Sequence, residues 1–444
     1  MNQETNLAGL KVNFLSKHEV LSLLKNKLQA NQKTWLTTVY SEFLYAGLNN
    51  PAVMQMLNKA NIAIPDGIGI FWAKNYLSIP LTAKSYWGKI FQSLFQAKYS
   101  LLKLLFNKKG VQTVPGSELI WDISKMAQEN NWSVFLLGGY GDTPKIAAEK
   151  LRSNPPAGGL NLKTYFSNKN PADLSVIEEI IKAKPDILLV AYGPIRQEKW
   201  ISENLENLPT VRLAVGLGGT FDYIAGKKIS PPVFVRKIGL EWLWRLFTQP
   251  YRIKRIFQAT FGLINLLILY KIYSYMEYRK NVVSVILNSH NQILICQRNP
   301  IPASGHALGE NILDKYKNYW QFPQGGADQD ESLEKTALRE AWEEVGLNKL
   351  SLIKISLSQN KYWFTLSWQR IFKRKYRWKG QSQNLVYLRH QGLDNEVKVD
   401  NKEFVNYKWV AQKDLSTHVH FERKPLAKIV EADLKEMLEK GTLT

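Results

Sequence analysis

Residues 325–347 read Gly-Gly-Ala-Asp-Gln-Asp-Glu-Ser-Leu-Glu-Lys-Thr-Ala-Leu-Arg-Glu-Ala-Trp-Glu-Glu-Val-Gly-Leu. The spacing is Gly325, five residues, Glu331, seven residues, then Arg339-Glu340-x-x-Glu343-Glu344-x-Gly346. On a helix Glu340, Glu343 and Glu344 sit at i, i+3 and i+4, so three carboxylates project from one face. Such a set suits a hard divalent cation, Mg²⁺ or Mn²⁺, which takes oxygen ligands. An isolated Glu-x-x-Glu-Glu is usually a solvated acidic face, but that leaves Gly325, Glu331, Arg339 and Gly346 unexplained at their offsets. Arg339 follows Glu331 by about two helical turns and can brace it. Gly346 suits the left-handed turn that ends a helix.

The flanks extend the pattern. Trp320-Gln321-Phe322-Pro323-Gln324-Gly325-Gly326 leads into the motif, Tyr278-Arg279-Lys280-Asn281-Val282 lies upstream, and Gly380-Gln381-Ser382-Gln383 and Glu403-Phe404-Val405-Asn406-Tyr407-Lys408-Trp409-Val410 follow. Over most of 278–440 this resembles the bacterial branch of the Nudix superfamily that includes RNA 5′-pyrophosphohydrolases and dinucleoside polyphosphate hydrolases. The resemblance implies an α/β/α sandwich that hydrolyses a nucleoside diphosphate-linked substrate: a dinucleoside polyphosphate, an RNA 5′ end or a nucleotide sugar. It implies metal binding by Glu340, Glu343, Glu344 and Glu403, proton transfer by Glu344 or Glu403, and a phosphate contact from Arg279. Two departures stand out. Residues 299–318 are inserted before the Trp320 motif, and Phe421-Glu422-Arg423 replaces a Phe-Lys-Arg, so Glu422 is expected to repel an RNA 5′-phosphate unless Arg423 or Lys424 compensates. Trp320, Phe322 and Tyr407 are either base-stacking or core aromatics.

A chain of 444 residues accommodates two or three domains. A net charge of +21 and a pI near 9.6 call for an anionic partner: nucleic acid, a phosphorylated substrate or an acidic membrane surface. The single cysteine, Cys296, excludes an intrachain disulfide framework and fits a reducing cytoplasm. The opening Met-Asn-Gln-Glu-Thr-Asn does not read as a basic n-region followed by an apolar h-region, so secretion is not expected. The least polar run, 256–270, is interrupted by Gln258 and Asn265 and shorter than the ~20 residues of a spanning helix, so it is expected to be peripheral or buried, with a membrane span as the alternative.

From 1 to about 250, short apolar runs alternate with helical stretches, the pattern of a parallel α/β domain. Strands are expected at 35–39, 62–64, 133–137, 187–191 and 213–215, several followed at once by Gly or Asp, where open α/β sheets bind ligands. A basic, apolar connector is expected at 251–277. A second domain, 278–444, opens with strands at 282–287 and 292–297 and closes with a helix near 425–440.

The first domain carries Thr37-Thr38-Val39-Tyr40, Pro65-Asp66-Gly67-Ile68-Gly69, Gly193-Pro194-Ile195-Arg196-Gln197-Glu198-Lys199-Trp200, and Gly216-Leu217-Gly218-Gly219-Thr220-Phe221-Asp222. With Gly239-Leu240-Glu241-Trp242-Leu243-Trp244-Arg245-Leu246 and Gln249-Pro250-Tyr251-Arg252, residues 20–257 resemble the WecG/TagA/CpsF glycosyltransferases. The resemblance implies a Rossmann-like parallel α/β fold. It also implies transfer of an N-acetylhexosamine-type sugar from a UDP-sugar to a polyprenyl-diphosphate-linked acceptor, on the cytoplasmic face of the cell membrane, with no cofactor expected at that site. Asp66 falls at the base position, Thr38 and Gln197 at substrate-contacting positions, and Arg245, Arg252 and Arg255 in a basic appendage that closes over the diphosphate. Arginine forks suit that task.

Tyr40 stands where the family usually has Asn. Residues 84–112 look inserted, with Lys84, Lys89, Lys98, Lys103, Lys108 and Lys109 and no acid, and with Trp87, Phe91, Leu94, Leu101 and Leu105 near helical spacing. That stripe suits either an interfacial membrane helix or a helix packed on the protein. The combined reading is a bifunctional, peripherally membrane-bound enzyme. The alternative is an active Nudix half with an N-terminal half serving only to dock or bind.

Overall fold

The computed structural model describes residues 4–107, 111–153, 162–229, 232, 235, 241–299, 318–328, 330–364, 366–372 and 378–443. Most of the insert 299–318, residues Lys108 and Lys109, and the side chains of Leu105 and Arg245 lie outside this description. The chain divides into two compact units, Met1–Ile272 and Tyr273–Thr444.

The first unit is built on six parallel strands: β3 (Thr34–Val39), β4 (Ile62–Pro65), β5 (Val134–Gly138), β6 (Thr164–Ser167), β7 (Ile187–Ala191) and β8 (Leu213–Gly216). Their order across the sheet is β4-β3-β8-β7-β5-β6. Side chains alternate between two helical layers, as a strand repeat of two requires. Leu36, Leu136, Leu189 and Val215 enter the core beneath helices Lys17–Gln29, Gly116–Glu129 and Thr143–Ser153. Trp35, Phe135, Leu188 and Ala214 enter the opposite core with Val176, Ile180, Trp200 and Ile201. All five expected strands are present within a residue or two. The edge strand β6 and the hairpin of β1 (Glu4–Leu7) and β2 (Leu10–Asn13) were not expected; both are short and partly polar.

The expected 256–270 run belongs to a longer helical stretch, Pro250–Ser274, of 25 residues, whose most apolar 18-residue window has a mean hydropathy of 1.4, long and apolar enough by composition to cross a membrane. Its end is packed inside the first unit: Lys271 is buried and donates to the Tyr76 carbonyl (2.6 Å) and Gln96 Oε1 (2.7 Å).

The second unit is a mixed sheet between two helices. Strands β9 (Glu277–Leu287), β10 (Ile293–Arg298), β11 (Trp320–Gln321), β13 (Leu350–Trp363) and β14 (Trp378–His390) run in the order β11-β10-β9-β14-β13. The short β12 (Gln324–Gly326) pairs with β9, and β15 (Phe404–Val410) with β10. Along β9, Val282 and Ile286 face helix Leu333–Val345 through Ala337, Ala341 and Val345, while Val283, Val285 and Leu287 face helix Lys424–Glu439 through Leu426, Val430 and Leu434. The α/β expectation therefore holds for both units. Phe322 is core; Trp320 is half-buried beneath the Lys408 ammonium, 4.2 Å from the ring centroid.

Candidate active sites

In the first unit the candidate side chains gather at the carboxyl ends of the central strands. Asp66 directly follows β4, its backbone N–H bonded to the Val39 carbonyl (2.7 Å). Its Oδ2 accepts from the Gly116 N–H at 3.3 Å. A side chain at Gly116 would press on Leu217 Cδ2 (3.2 Å) and reach Thr38 Oγ1 and Asp66 Oδ2 (3.7 and 3.8 Å), so the glycine leaves these groups around a common space. Thr38, buried near the end of β3, donates to the Gly216 carbonyl of β8 at 3.3 Å.

Gln197 is delivered by an unusual turn. Pro194, Ile195 and Arg196 close an i to i+2 hydrogen bond of 2.7 Å with Ile195 at φ 63° and ψ −44°, the rare positive-φ γ-turn. For a β-branched residue this conformation is strained, at about 1–3 kcal/mol. Helix Arg196–Asn204 starts there, with Gln197 Oε1 accepting from the Gly218 N–H (2.8 Å).

Glu198, next in line, is missing from the sequence-derived candidates. It is fully buried, accepts from the Trp35 indole at 2.8 Å and from Gln197 Nε2 at 3.2 Å, and burial pushes its carboxyl up to about 7. Its signal was available: Glu198 lies three residues before Ile201 and seven before Leu205, on the helix's apolar face. Gly216 opposite is obligatory, since a Cβ there would lie 2.1 Å from Glu198 Oε1.

The structure brings Thr38, Asp66 and Gln197 together. The appendage arginines behave differently. Arg255 makes a two-point ion pair with Glu42, Nε to Oε1 at 3.1 Å and Nη2 to Oε2 at 2.9 Å. It thereby ties the appendage to helix Ser41–Asn49, which begins immediately after Tyr40. Arg252 lies beside Tyr251, with its Nε buried and without a hydrogen-bond partner among the described residues.

In the second unit the motif forms a turn and a capped helix. Ser332 accepts from the Lys335 N–H (3.2 Å) and opens helix Leu333–Val345; Gly346 closes it at φ 69°. Arg339 organises the acids. It donates to Glu331 through Nε and Nη2 (3.1 and 2.9 Å), to Glu340 and Glu343 through Nη1 (2.8 and 3.2 Å), and to the Gly326 carbonyl (3.0 Å). Arg339 beside Glu331 holds that carboxyl down to about 2. Gly325 allows Glu340 its place: a Cβ there would lie 1.7 Å from Glu340 Cδ.

Glu344 is separate from this set. It is 5% exposed, its Oε2 held by the Gln324 N–H at 2.9 Å, and burial together with neighbouring Glu403 pushes it up to about 9. Glu340 is also raised by burial. Glu403 is exposed at the start of β15, its N–H bonded to Asp400 (2.9 Å), whose own N–H reaches the Glu344 carbonyl (3.1 Å). Among the described residues no three acids converge tightly enough to enclose a cation as they stand, because Arg339 draws Glu343 and Glu340 to itself. The donor set nevertheless fits a hard divalent ion. Glu340, Glu344 and Glu403 offer oxygen atoms alone, and burial penalises the ionised form of Glu340 and Glu344, a penalty such an ion would relieve.

Arg279 packs over the motif, its Nη2 2.3 Å from where a Gly326 Cβ would be. Gln324 Oε1 accepts from Gln383 Nε2 (2.5 Å), and Asn360 and Tyr362 donate to Gln383 and Gln381 (2.6 and 2.7 Å), a polar ladder leading away from the carboxylates. Glu422, expected to repel phosphate, accepts from the Tyr319 hydroxyl at 3.1 Å, and buried Arg423 lies over the Tyr319 and Tyr362 rings.

The model of the Glycosyl transferase WecG/TagA/CpsF family matches residues 5–101 and 99–277, and that of the NUDIX domain matches 277–431. The N-acetylglucosaminyldiphosphoundecaprenol N-acetyl-beta-D-mannosaminyltransferase of Staphylococcus aureus strain MRSA252 is 26% identical over 230 residues, 51% of this chain and 78% of its own length. That of strain NCTC 8325 is equally similar. Among solved structures, the MutT protein of Methanosarcina mazei Go1 is 18% identical, covering 36% of this chain and 98% of its own, with a TM-score of 0.26. A Caenorhabditis elegans Ap4A hydrolase binary complex is 18% identical with the same coverage and a TM-score of 0.25.

Proposed function

From its membership in the WecG/TagA/CpsF glycosyltransferase family and the Nudix domain it carries behind that module, we propose how each half of this two-enzyme chain acts and on what. The first unit transfers an N-acetylhexosamine-type sugar from a UDP-sugar to a polyprenyl-diphosphate-linked acceptor at the cytoplasmic membrane face. The convergence of Asp66, Thr38 and Gln197 at the carboxyl ends of β3, β4 and β8 carries this reading. Asp66 takes the acceptor hydroxyl proton. Thr38 and Gln197 orient the sugar, and Glu198 fixes the Gln197 amide so that its Nε2 and Oε1 point in defined directions. Arg252 supplies a guanidinium to the leaving diphosphate, and Arg245 is assigned the same role from sequence alone. Arg255 joins them only by exchanging Glu42 for phosphate.

The second unit hydrolyses a diphosphate linkage in a nucleotide-containing substrate. Glu340, Glu343, Glu344 and Glu403 would hold the divalent cation, Mg²⁺ or Mn²⁺, which when bound supplies positive charge against the diphosphate and polarises a water. Arg339 sets the positions of Glu340 and Glu343, and Arg279 binds substrate phosphate. Glu344 or Glu403 receives the proton of the attacking water. The pairing of Glu422 with Tyr319 leaves Arg423 as the basic group of that loop and favours a compact nucleotide or nucleotide sugar over an RNA 5′ end. The test is to incubate the purified full-length chain with UDP-N-acetylmannosamine and a short-chain N-acetylglucosaminyl-diphosphate lipid, and separately with UDP-sugars, dinucleoside polyphosphates and 5′-triphosphorylated RNA. Disaccharide-lipid formation and hydrolysis of a small nucleotide substrate are expected. RNA cleavage without small-nucleotide hydrolysis, or absence of transfer with all N-acetylhexosamine donors, would overturn the corresponding half.

A further inference from the structure

The helix Tyr86–Phe106 is inside out. Its 3.6-residue repeat places Ile90, Ser93, Ala97, Ser100 and Leu104 on the packed side. That side includes polar groups tied inward: Ser93 Oγ pairs with the Tyr76 hydroxyl (2.6 Å), the Trp72 indole donates to Ser100 Oγ (3.0 Å), and buried Gln96 accepts from Lys271. The opposite side is apolar and faces outward, with Phe91 68%, Phe95 69% and Phe106 88% exposed and Tyr99 and Leu102 between them. A helix stabilised only by burial on the protein would have the reverse arrangement. Among the described residues of the segment the exposed basic groups are Lys84, Lys98 and Lys103, and 84–112 contains no acid. The Pro250–Ser274 helix, which touches this one through Lys271 and Gln96, adds exposed Ile253, Phe257 and Phe261.

We propose that the outward face of helix Tyr86–Phe106 is an interfacial anchor, seating Phe91, Phe95, Leu102 and Phe106 among the acyl chains of an anionic phospholipid surface while the lysines meet its headgroups. The charge selects lipid over a second copy: two such faces would juxtapose lysines with no acid to offset them. The inference rests on the lipid-linked acceptor reading for its location and adds the surface by which the chain is held there.

The test uses full-length protein and acceptor-free vesicles of phosphatidylglycerol and phosphatidylcholine, in flotation. Phe91→Ser/Phe95→Ser/Phe106→Ser is expected to weaken partitioning by at least about tenfold, and Lys98→Glu/Lys103→Glu to remove its preference for phosphatidylglycerol. Because the sole native cysteine, Cys296, is fully buried, Phe95→Cys can be labelled selectively with an environment-sensitive dye. Its emission should shift to the blue on vesicle addition, while a label at Leu174→Cys, an exposed site elsewhere in the unit, should not shift. Flotation of the intact chain that the triple substitution leaves unchanged overturns the anchor but keeps the membrane reading. Absence of any flotation overturns both. A Phe95→Cys dye that is already blue-shifted without vesicles, in a protein that is dimeric by light scattering, assigns the face to a second copy and also overturns the proposal.

Discussion

Glu344→Gln is expected to stabilise the metal-free second unit while abolishing its chemistry. Glu344 is 5% exposed, and burial with Glu403 nearby raises its carboxyl from 4.5 to about 9. Below pH 4.5 folded and unfolded chains both hold the proton and nothing is lost. Above that the unfolded chain ionises while the fold keeps its proton, so stability falls with rising pH until about pH 9. At pH 7 the accumulated loss is 2.5 pH units at about 1.4 kcal/mol each, or roughly 3 kcal/mol. A glutamine does not titrate, its amide oxygen can still accept from the Gln324 N–H, and its NH₂ can donate to Glu403. The assay is hydrogen exchange of the buried β9 amides, Val282 to Leu287, in full-length protein with EDTA, at pH 7 and pH 5. The variant should be protected more strongly by roughly 3 kcal/mol at pH 7 and by less than about 1 kcal/mol at pH 5. A variant less stable than the parent at pH 7, or a difference independent of pH, would refute the reasoning.

Two further outcomes follow from the geometry. Gly325→Ala places a methyl 1.7 Å from Glu340 Cδ and forces that carboxylate out of its contact with Arg339; hydrolysis should fall by about 10²-fold with little change in the unfolding midpoint, as steady-state kinetics and thermal melts would check. At Glu198, glutamine should preserve most sugar transfer because it still accepts from Trp35. Alanine should reduce kcat by about tenfold or more, since it frees the Gln197 amide; equal activities of the two variants would remove the positioning role.

What the sequence made legible follows from where each signal resides. The central strands β4, β5, β7 and β8 are buried on both faces, so each appears as an uninterrupted apolar run, while β3, equally buried, is interrupted by Thr37 and Thr38. Strand β13 gave no such run, because Gln359 and Asn360 tie it to Asn384 and Gln383 of β14 through side-chain ladders, and in β14 the run is confined to Leu385–Leu388. The spacing of the 325–347 motif placed its acids on one helix, as the structure does. That Arg339 would divide them, gathering Glu340 and Glu343 and leaving Glu344 to Glu403, depended on the turn at Gly325 and Gly326. Glu198 meets Trp35 across 163 residues of chain, and Arg255 meets Glu42 across 213. Contacts of that range are set by the sheet order, which no local pattern contains. The length of the Pro250–Ser274 helix was hidden because its polar residues, Gln258, Asn265 and Lys271, interrupt the apolar run without ending the helix.

The central claim is that one chain carries two separate active sites. Full-length Asp66→Asn and Glu344→Gln proteins, each assayed for sugar transfer to the lipid acceptor and for nucleotide diphosphate hydrolysis, test it directly. Asp66→Asn should lose transfer by about 10²-fold or more and hydrolyse at the parent rate, and Glu344→Gln should do the reverse. Loss of both activities in either variant, or transfer undiminished by Asp66→Asn, would contradict the account.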